Sequence, residues 1–139
     1  MLNKALDIAY KAHWGQTDKA GTPYKLHPTR VALHCQTEDE KIVALLHDVV
    51  EDTSMTLEEL KAQGFSNEVL AALKCLTQIE DEDYQTFIQR VATNPLAVKV
   101  KIQDLKDNMD LSRLDGKPHW KMETYKKALD YLEQCSNKK

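Results

Sequence analysis

Leu45-Leu46-His47-Asp48-Val49-Val50-Glu51-Asp52 sets four ionisable side chains into the end of an otherwise apolar run. Upstream, Ile42, Leu45, Leu46 and Val49 recur at helical spacing and predict the buried face of a helix from about Glu38 to Val50. Its acidic start, Glu38-Asp39-Glu40, complements the helix dipole. A helix turns about 100° per residue, so His47 and Glu51 share a face, as do Asp48 and Asp52. Adjacent His47 and Asp48 converge on one point if the helix end is aimed at it. Three carboxylates in a last turn oppose the dipole, each at a cost of roughly 0.3–1 kcal/mol. A cation relieves that conflict. The competing reading is a solvated acidic helix end, and the octet alone does not decide between them.

Helical spacing continues on both sides. Leu2, Ala5, Leu6, Ala9 and Ala12 form one stripe, and a segment holding Gly21 and Pro23 follows it. Pro28 suits the first turn of a second helix, which carries Val31, Ala32 and Leu33. Ser54 or Thr56 can cap a short helix with Leu57 and Leu60, stopped at Gly64. Ser66 then caps a helix through Val69, Leu70, Leu73 and Leu76. Tyr84, Phe87, Ile88 and Val91 mark another, ended near Asn94-Pro95. A long helix is expected from Pro95 to about Leu114, and a last one carries Met122, Tyr125, Leu129 and Leu132. β-Branched residues never alternate over a strand's length. The fold class expected is therefore all-α, a helical bundle with short connections.

The 139 residues predict a single domain spanning 1–139. A formal net charge of −3 gives no footprint for a nucleic-acid polymer. No stretch approaches the roughly 20 apolar residues of a membrane span. The first ten residues include Asp7 and lack an apolar run, so a secretory signal is not expected. Cys35, Cys75 and Cys135 are unevenly spaced and odd in number, which reads as reduced thiols in a cytoplasmic protein.

Two further segments bear on chemistry. Between Val98 and Met109, Asp104 lies beside the apolar stripe of Val98, Ile102, Leu105 and Met109, and a carboxylate there needs a partner. Lys101 stands three residues before it and Asn108 four after. A Lys101–Asp104 surface pair, worth little, is the plainer alternative. The other segment is His27-Pro28, where a lone imidazole reads first as a local hydrogen-bonding residue. Together His27, His47, Asp48 and Asp104 make a mixed nitrogen and oxygen set suited to one divalent ion. Mn²⁺ fits such a set, and Zn²⁺, Fe²⁺ or Mg²⁺ remain open. His13 and His34 are read as packing or supporting residues and His119 as a surface residue.

Three motifs in this order, Ala12-His13-x-x-Gln16-x-x-Lys19-x-Gly21-x-Pro23-Tyr24-x-x-His27-Pro28, His47-Asp48-Val49-Val50-Glu51-Asp52-Thr53 and Lys101-x-x-Asp104-Leu105-x-x-Asn108, resemble the hydrolase domain of Rel/Spo-type alarmone enzymes. The similarity covers about Leu2 to Leu114. It implies an HD-type helical bundle and puts the family's metal ligands on His27, His47, Asp48 and Asp104. It puts the catalytic acidic pair on Glu51 and Asp52, the phosphate-binding lysine on Lys19 and the ribose-side asparagine on Asn108. The reaction it implies is Mn²⁺-dependent removal of the 3′-pyrophosphate from guanosine tetra- or pentaphosphate, so the partner expected is a small nucleotide. Tyr24 is a candidate for the pocket wall.

The chain departs from the family at Asp18, where its hydrolases commonly carry an arginine against the purine. A carboxylate cannot stack as a guanidinium does. Two other readings therefore stay open: a phosphohydrolase for another nucleotide, such as a nicotinamide dinucleotide phosphate, and a non-catalytic, metal-stabilised nucleotide-binding module. Glu51 and Asp52 weigh against the module, because a pure binder needs no water-activating carboxylate. No synthetase or regulatory region is expected after Lys139, so the expectation is at most a stand-alone hydrolase.

Overall fold

The computed structural model describes residues 2–12, 26–52, 55–109 and 122–137, and every regular element among them is α-helical. In chain order these are α1 (Leu2–Ala12), α2 (Leu26–Leu33), α3 (Glu38–Asp52), α4 (Leu57–Ala62), α5 (Asn67–Leu76), α6 (Tyr84–Val91), α7 (Pro95–Asn108) and α8 (Met122–Asn137). No strand occurs among the described residues. None of these helices is long and apolar enough to cross a membrane.

Local chemistry starts and stops the helices. Thr56, Ser66, Asp83 and Asn94 each accept a backbone N–H from the first turn of α4, α5, α6 and α7, and Pro95 follows Asn94 where its missing N–H costs nothing. At the start of α3, the Thr37 hydroxyl accepts from the Glu40 N–H at 3.1 Å and donates to the Glu40 carboxylate at 2.9 Å. This reciprocal cap makes Glu40 a buried residue rather than a solvated dipole partner. α4 ends at Gly64, φ 100°, with Gly64 N–H bonded to Lys61 O and Phe65 N–H to Leu60 O. The positive φ favours glycine there, and buried Phe65 and Leu60 complete the Schellman turn.

Helices α3 and α7 organise the packing. α3 lies against α1, α2, α5 and α7, and α7 against α2, α3, α5, α6 and α8. Ile42, Val43, Ala44, Leu45, Leu46 and Val49 of α3 are all buried. At about 1.5–3 kcal/mol for each large apolar side chain, this burial holds α3 in place without help from an ion. α7 buries Ala97, Val98, Val100, Ile102 and Leu105, which lie around most of its circumference, as expected of a central helix.

Four details depart from the sequence reading. α1 turns Ala5 and Ala9 inward and leaves Leu6 41% exposed, because close packing on α3 favours the smaller side chains. Leu33, at the end of α2, is 74% exposed. α3 continues to Asp52, so the acidic residues 51 and 52 complete its last turn. α7 stops at Asn108, short of Leu114: Met109 still donates to Leu105 O but its ψ of 5° leaves the helical range. Residues 110–121 lie outside the described part of the chain.

All three cysteines are free thiols. Cys35 is buried behind α2, and its Sγ donates to Val31 O at 3.3 Å. Burial, and then the nearby Glu40 charge, push the thiol up to about 11 despite the opposing charge of Lys41. At pH 8 that leaves about one thiolate in a thousand. Iodoacetamide at pH 8 is therefore expected to spare Cys35 in the folded protein and to modify it in denaturant, as peptide mass spectrometry will show. Rapid labelling under native conditions would contradict this burial.

Candidate metal centre

His47 and Asp48 sit one turn before the end of α3, where that helix meets α7. The His47 ring is buried and its Nδ1 lies 2.9 Å from Ala44 O in the preceding turn. A carbonyl only accepts, so Nδ1 carries the hydrogen and Nε2 is the ring nitrogen with the lone pair. Nε2 faces Asp48 Oδ1 at 3.2 Å and Asp104 Oδ1 at 3.5 Å. His47, Asp48 and Asp104 each offer one ligand atom, and these lie within 4.8 Å of one another.

The electrostatics show what this point requires. Burial alone pushes the His47 imidazole down, but the Asp48 charge, then the hydrogen bond and charge of Asp104, outweigh it and raise the ring to about 9. Two carboxylates thus demand a positive charge at Nε2. Either a proton or a metal cation meets that demand. The fixed Nδ1–H is the arrangement that leaves Nε2 as a metal-binding lone pair. One imidazole nitrogen and two carboxylate oxygens fit a divalent ion, so the residues present suit the metal that the sequence implies.

Asp104 divides its two oxygens. Oδ1 faces His47, while Oδ2 accepts from Lys101 Nζ at 2.9 Å. This is the pair expected from the sequence, but it is buried rather than superficial, with side-chain exposures of 13% and 6%. Burial pulls the Lys101 ammonium down, yet the Asp104 charge more than compensates and holds it above its ordinary value. The Lys101 Nζ lies over the Phe87 ring, 5.4 Å from its centroid, and Tyr84 and Tyr125 continue the aromatic cluster in tilted contacts.

The other expected site residues fall as follows. His27 lies in the first turn of α2, and Glu51 and Asp52 in the last turn of α3, one turn past His47 and Asp48. The side chains of these three are outside the described part of the structure, as are Asp18, Lys19 and Tyr24 altogether. Asn108 is half-buried at the end of α7, one turn beyond Asp104. His34 is exposed and its Nδ1 meets Arg30 O at 2.8 Å, apart from the His47–Asp48–Asp104 cluster.

One contact escaped the sequence reading. Arg30 of α2 grips Asp107 of α7 through two bonds, Nε to Oδ1 at 2.8 Å and Nη2 to Oδ2 at 3.2 Å. Nothing in a single sequence pairs positions 77 residues apart. The available hint was that Arg30 follows His27, and Asp107 follows Asp104, by the same three residues.

Sequence comparison finds relatives of this chain. The guanosine-3′,5′-bis(diphosphate) 3′-pyrophosphohydrolase of Aquifex aeolicus is 32% identical over 120 residues, covering 78% of this chain and 17% of that protein. The protein of the same name from Borreliella burgdorferi is 40% identical over 82 residues, covering 56% of this chain and 12% of its own length. The bifunctional (p)ppGpp synthase/hydrolase SpoT of Escherichia coli is 29% identical over 125 residues, covering 78% of this chain and 17% of that protein. The chain thus spans only a small part of these curated relatives. Among solved structures, a metazoan ortholog of SpoT described as hydrolysing ppGpp shares the fold, with a TM-score of 0.75 and 23% identity over 99% of this chain and 85% of that one. No protein-family model matches the chain.

Proposed function

We propose, from the chain's membership of the Rel/Spo-type HD hydrolases, that it is a metal-dependent phosphohydrolase removing the 3′-pyrophosphate of a guanosine polyphosphate. The observation that carries this reading is the buried meeting of His47, Asp48 and Asp104, which concentrates negative charge around one nitrogen lone pair. His27 is the fourth ligand, brought by α2, and the ion is Mn²⁺.

When bound, the ion supplies Lewis acidity, acidifying water and polarising a phosphoryl oxygen. The chain's own residues do the rest. His47, Asp48 and Asp104 hold the charge in a fixed place, and Lys101 keeps Asp104 turned so that Oδ1 faces it. Glu51, one turn beyond His47, takes the proton of the attacking water, and Asp52 orients Glu51 and that water. Lys19 binds the departing phosphates as a point charge. Asn108, one turn beyond Asp104, hydrogen-bonds the ribose, and Tyr24 walls the pocket.

The expected result is release of pyrophosphate from guanosine tetraphosphate with Mn²⁺ present and none after chelation. The chelated protein should keep its helical circular-dichroism spectrum, since the core of α3 and α7 needs no ion. Asp48→Asn should weaken Mn²⁺ binding in calorimetry, because one anionic ligand becomes neutral. Unchanged affinity would remove Asp48 from the ligand set. Asp18 favours a second reading, a different nucleotide substrate, because a carboxylate repels an anionic ligand where relatives place a guanidinium. A panel that includes nicotinamide dinucleotide phosphates separates the two. Cleavage of one of these, with guanosine tetraphosphate untouched, would establish the second reading, and binding without any turnover would establish a non-catalytic module.

A further inference from the structure

We infer that the Arg30–Asp107 pair is a positioning clamp that sets α2 against α7 and so delivers His27 to the metal site. This inference rests on reading His27 as a ligand. α2 has only eight residues, Leu26–Leu33, and packs on α3 and α7, the two helices that carry the other three ligands. Apolar packing seats such a short helix but specifies its rotation and register weakly. Val31 and Ala32 are its buried apolar residues among those whose side chains are described, and Leu33 faces solvent. Polar contacts supply the missing definition. Lys41 Nζ donates to Ala32 O at 3.0 Å and to Cys35 O at 2.6 Å, tying the C-terminal end of α2 to α3. Arg30 ties the middle of α2 to α7.

The form of the Arg30 contact matters more than its charge. Two parallel bonds from one guanidinium to one carboxylate fix distance and rotation together, which a lysine point charge does not. The pair is sheltered, with side-chain exposures of 26% for Arg30 and 9% for Asp107, so it is not an ordinary surface pair. Its place is also informative. Arg30 stands three residues after His27, and Asp107 three after Asp104, so on both helices the clamp is one turn from a ligand. A ligand held about 1 Å out of place coordinates poorly, and a clamp one turn away is well placed to prevent that error.

The test is Mn²⁺ affinity by calorimetry and by the Mn²⁺ electron paramagnetic resonance signal, in a double-mutant cycle. Arg30→Ala is expected to weaken binding about 10–100-fold, the usual effect of losing a residue that orients a ligand. Asp107→Asn, nearly isosteric, should weaken it in the same direction and serves if Arg30→Ala folds poorly. His27→Ala should weaken it at least as much. The decisive measurement is the combined variant: with His27 already gone, Arg30→Ala or Asp107→Asn should cost no further affinity, because the clamp acts through that side chain. A general structural role predicts an added loss in the combined variant, and that result overturns the clamp. So does normal affinity in Arg30→Ala and Asp107→Asn when His27→Ala is weakened. If His27→Ala itself binds Mn²⁺ normally, the ligand reading fails and the clamp fails with it.

Discussion

Glu51→Gln is expected to lower turnover of guanosine tetraphosphate by about 10²–10⁴-fold, the usual contribution of a general base, while Mn²⁺ and nucleotide still bind. Each factor of ten is about 1.36 kcal/mol of barrier, so the loss corresponds to about 3–5 kcal/mol. Glutamine keeps the size and the hydrogen-bonding reach but cannot accept a proton. Because α3 remains helical through Asp52, residue 51 stands one turn beyond His47 and follows the same helix face. Single-turnover rates together with Mn²⁺ titrations check this. An unchanged rate would assign proton transfer elsewhere, Asp52 first, and a lost Mn²⁺ affinity would make Glu51 a ligand instead.

The second large effect is on stability. Lys101→Met keeps most of the apolar length against Phe87 but removes the ammonium that bonds Asp104 Oδ2. Asp104 is buried and Lys101 is largely covered, and removing one partner of such a pair strands the other charge at a cost of about 3–5 kcal/mol. Urea unfolding of the metal-free variant should show this loss, and added Mn²⁺ should restore part of it by returning positive charge to Asp104. A loss below about 1 kcal/mol would be the mark of a solvent-screened pair, and the assignment of Lys101 as the residue that turns Asp104 would then be wrong.

The sequence was most legible where periodicity and capping coincide. Ser66 before the Val69–Leu76 stripe and Asn94-Pro95 before α7 each predicted a helix start that the fold contains. Gly64 predicted the end of α4 for the same reason. Periodicity misled where neighbours set the depth. On α1 it could not tell that Ala5 and Ala9, rather than Leu6, would meet α3. On α2 it placed Leu33 on the helix but could not give its depth, which at the end of so short a helix is exposed. In the site, the short-range features were readable: His47 beside Asp48, and Lys101 three residues before Asp104. The depth of that lysine was not, because it depends on Phe87, Tyr84 and Tyr125 from α6 and α8. Arg30 and Asp107 were invisible for the same reason, since their partnership exists only across the α2–α7 contact.

The central position of α7 carries a kinetic consequence. Amide hydrogens on a helix surrounded by five others exchange with solvent only when the surrounding structure opens, so those of Ile102 to Leu105 should be among the slowest in the protein. Asp104 is therefore mounted on a segment whose opening free energy approaches that of global unfolding. On warming, the Asp104 side of the site should persist until the whole bundle melts rather than fray beforehand. Any gradual loss of metal affinity below the melting temperature would then trace to another helix.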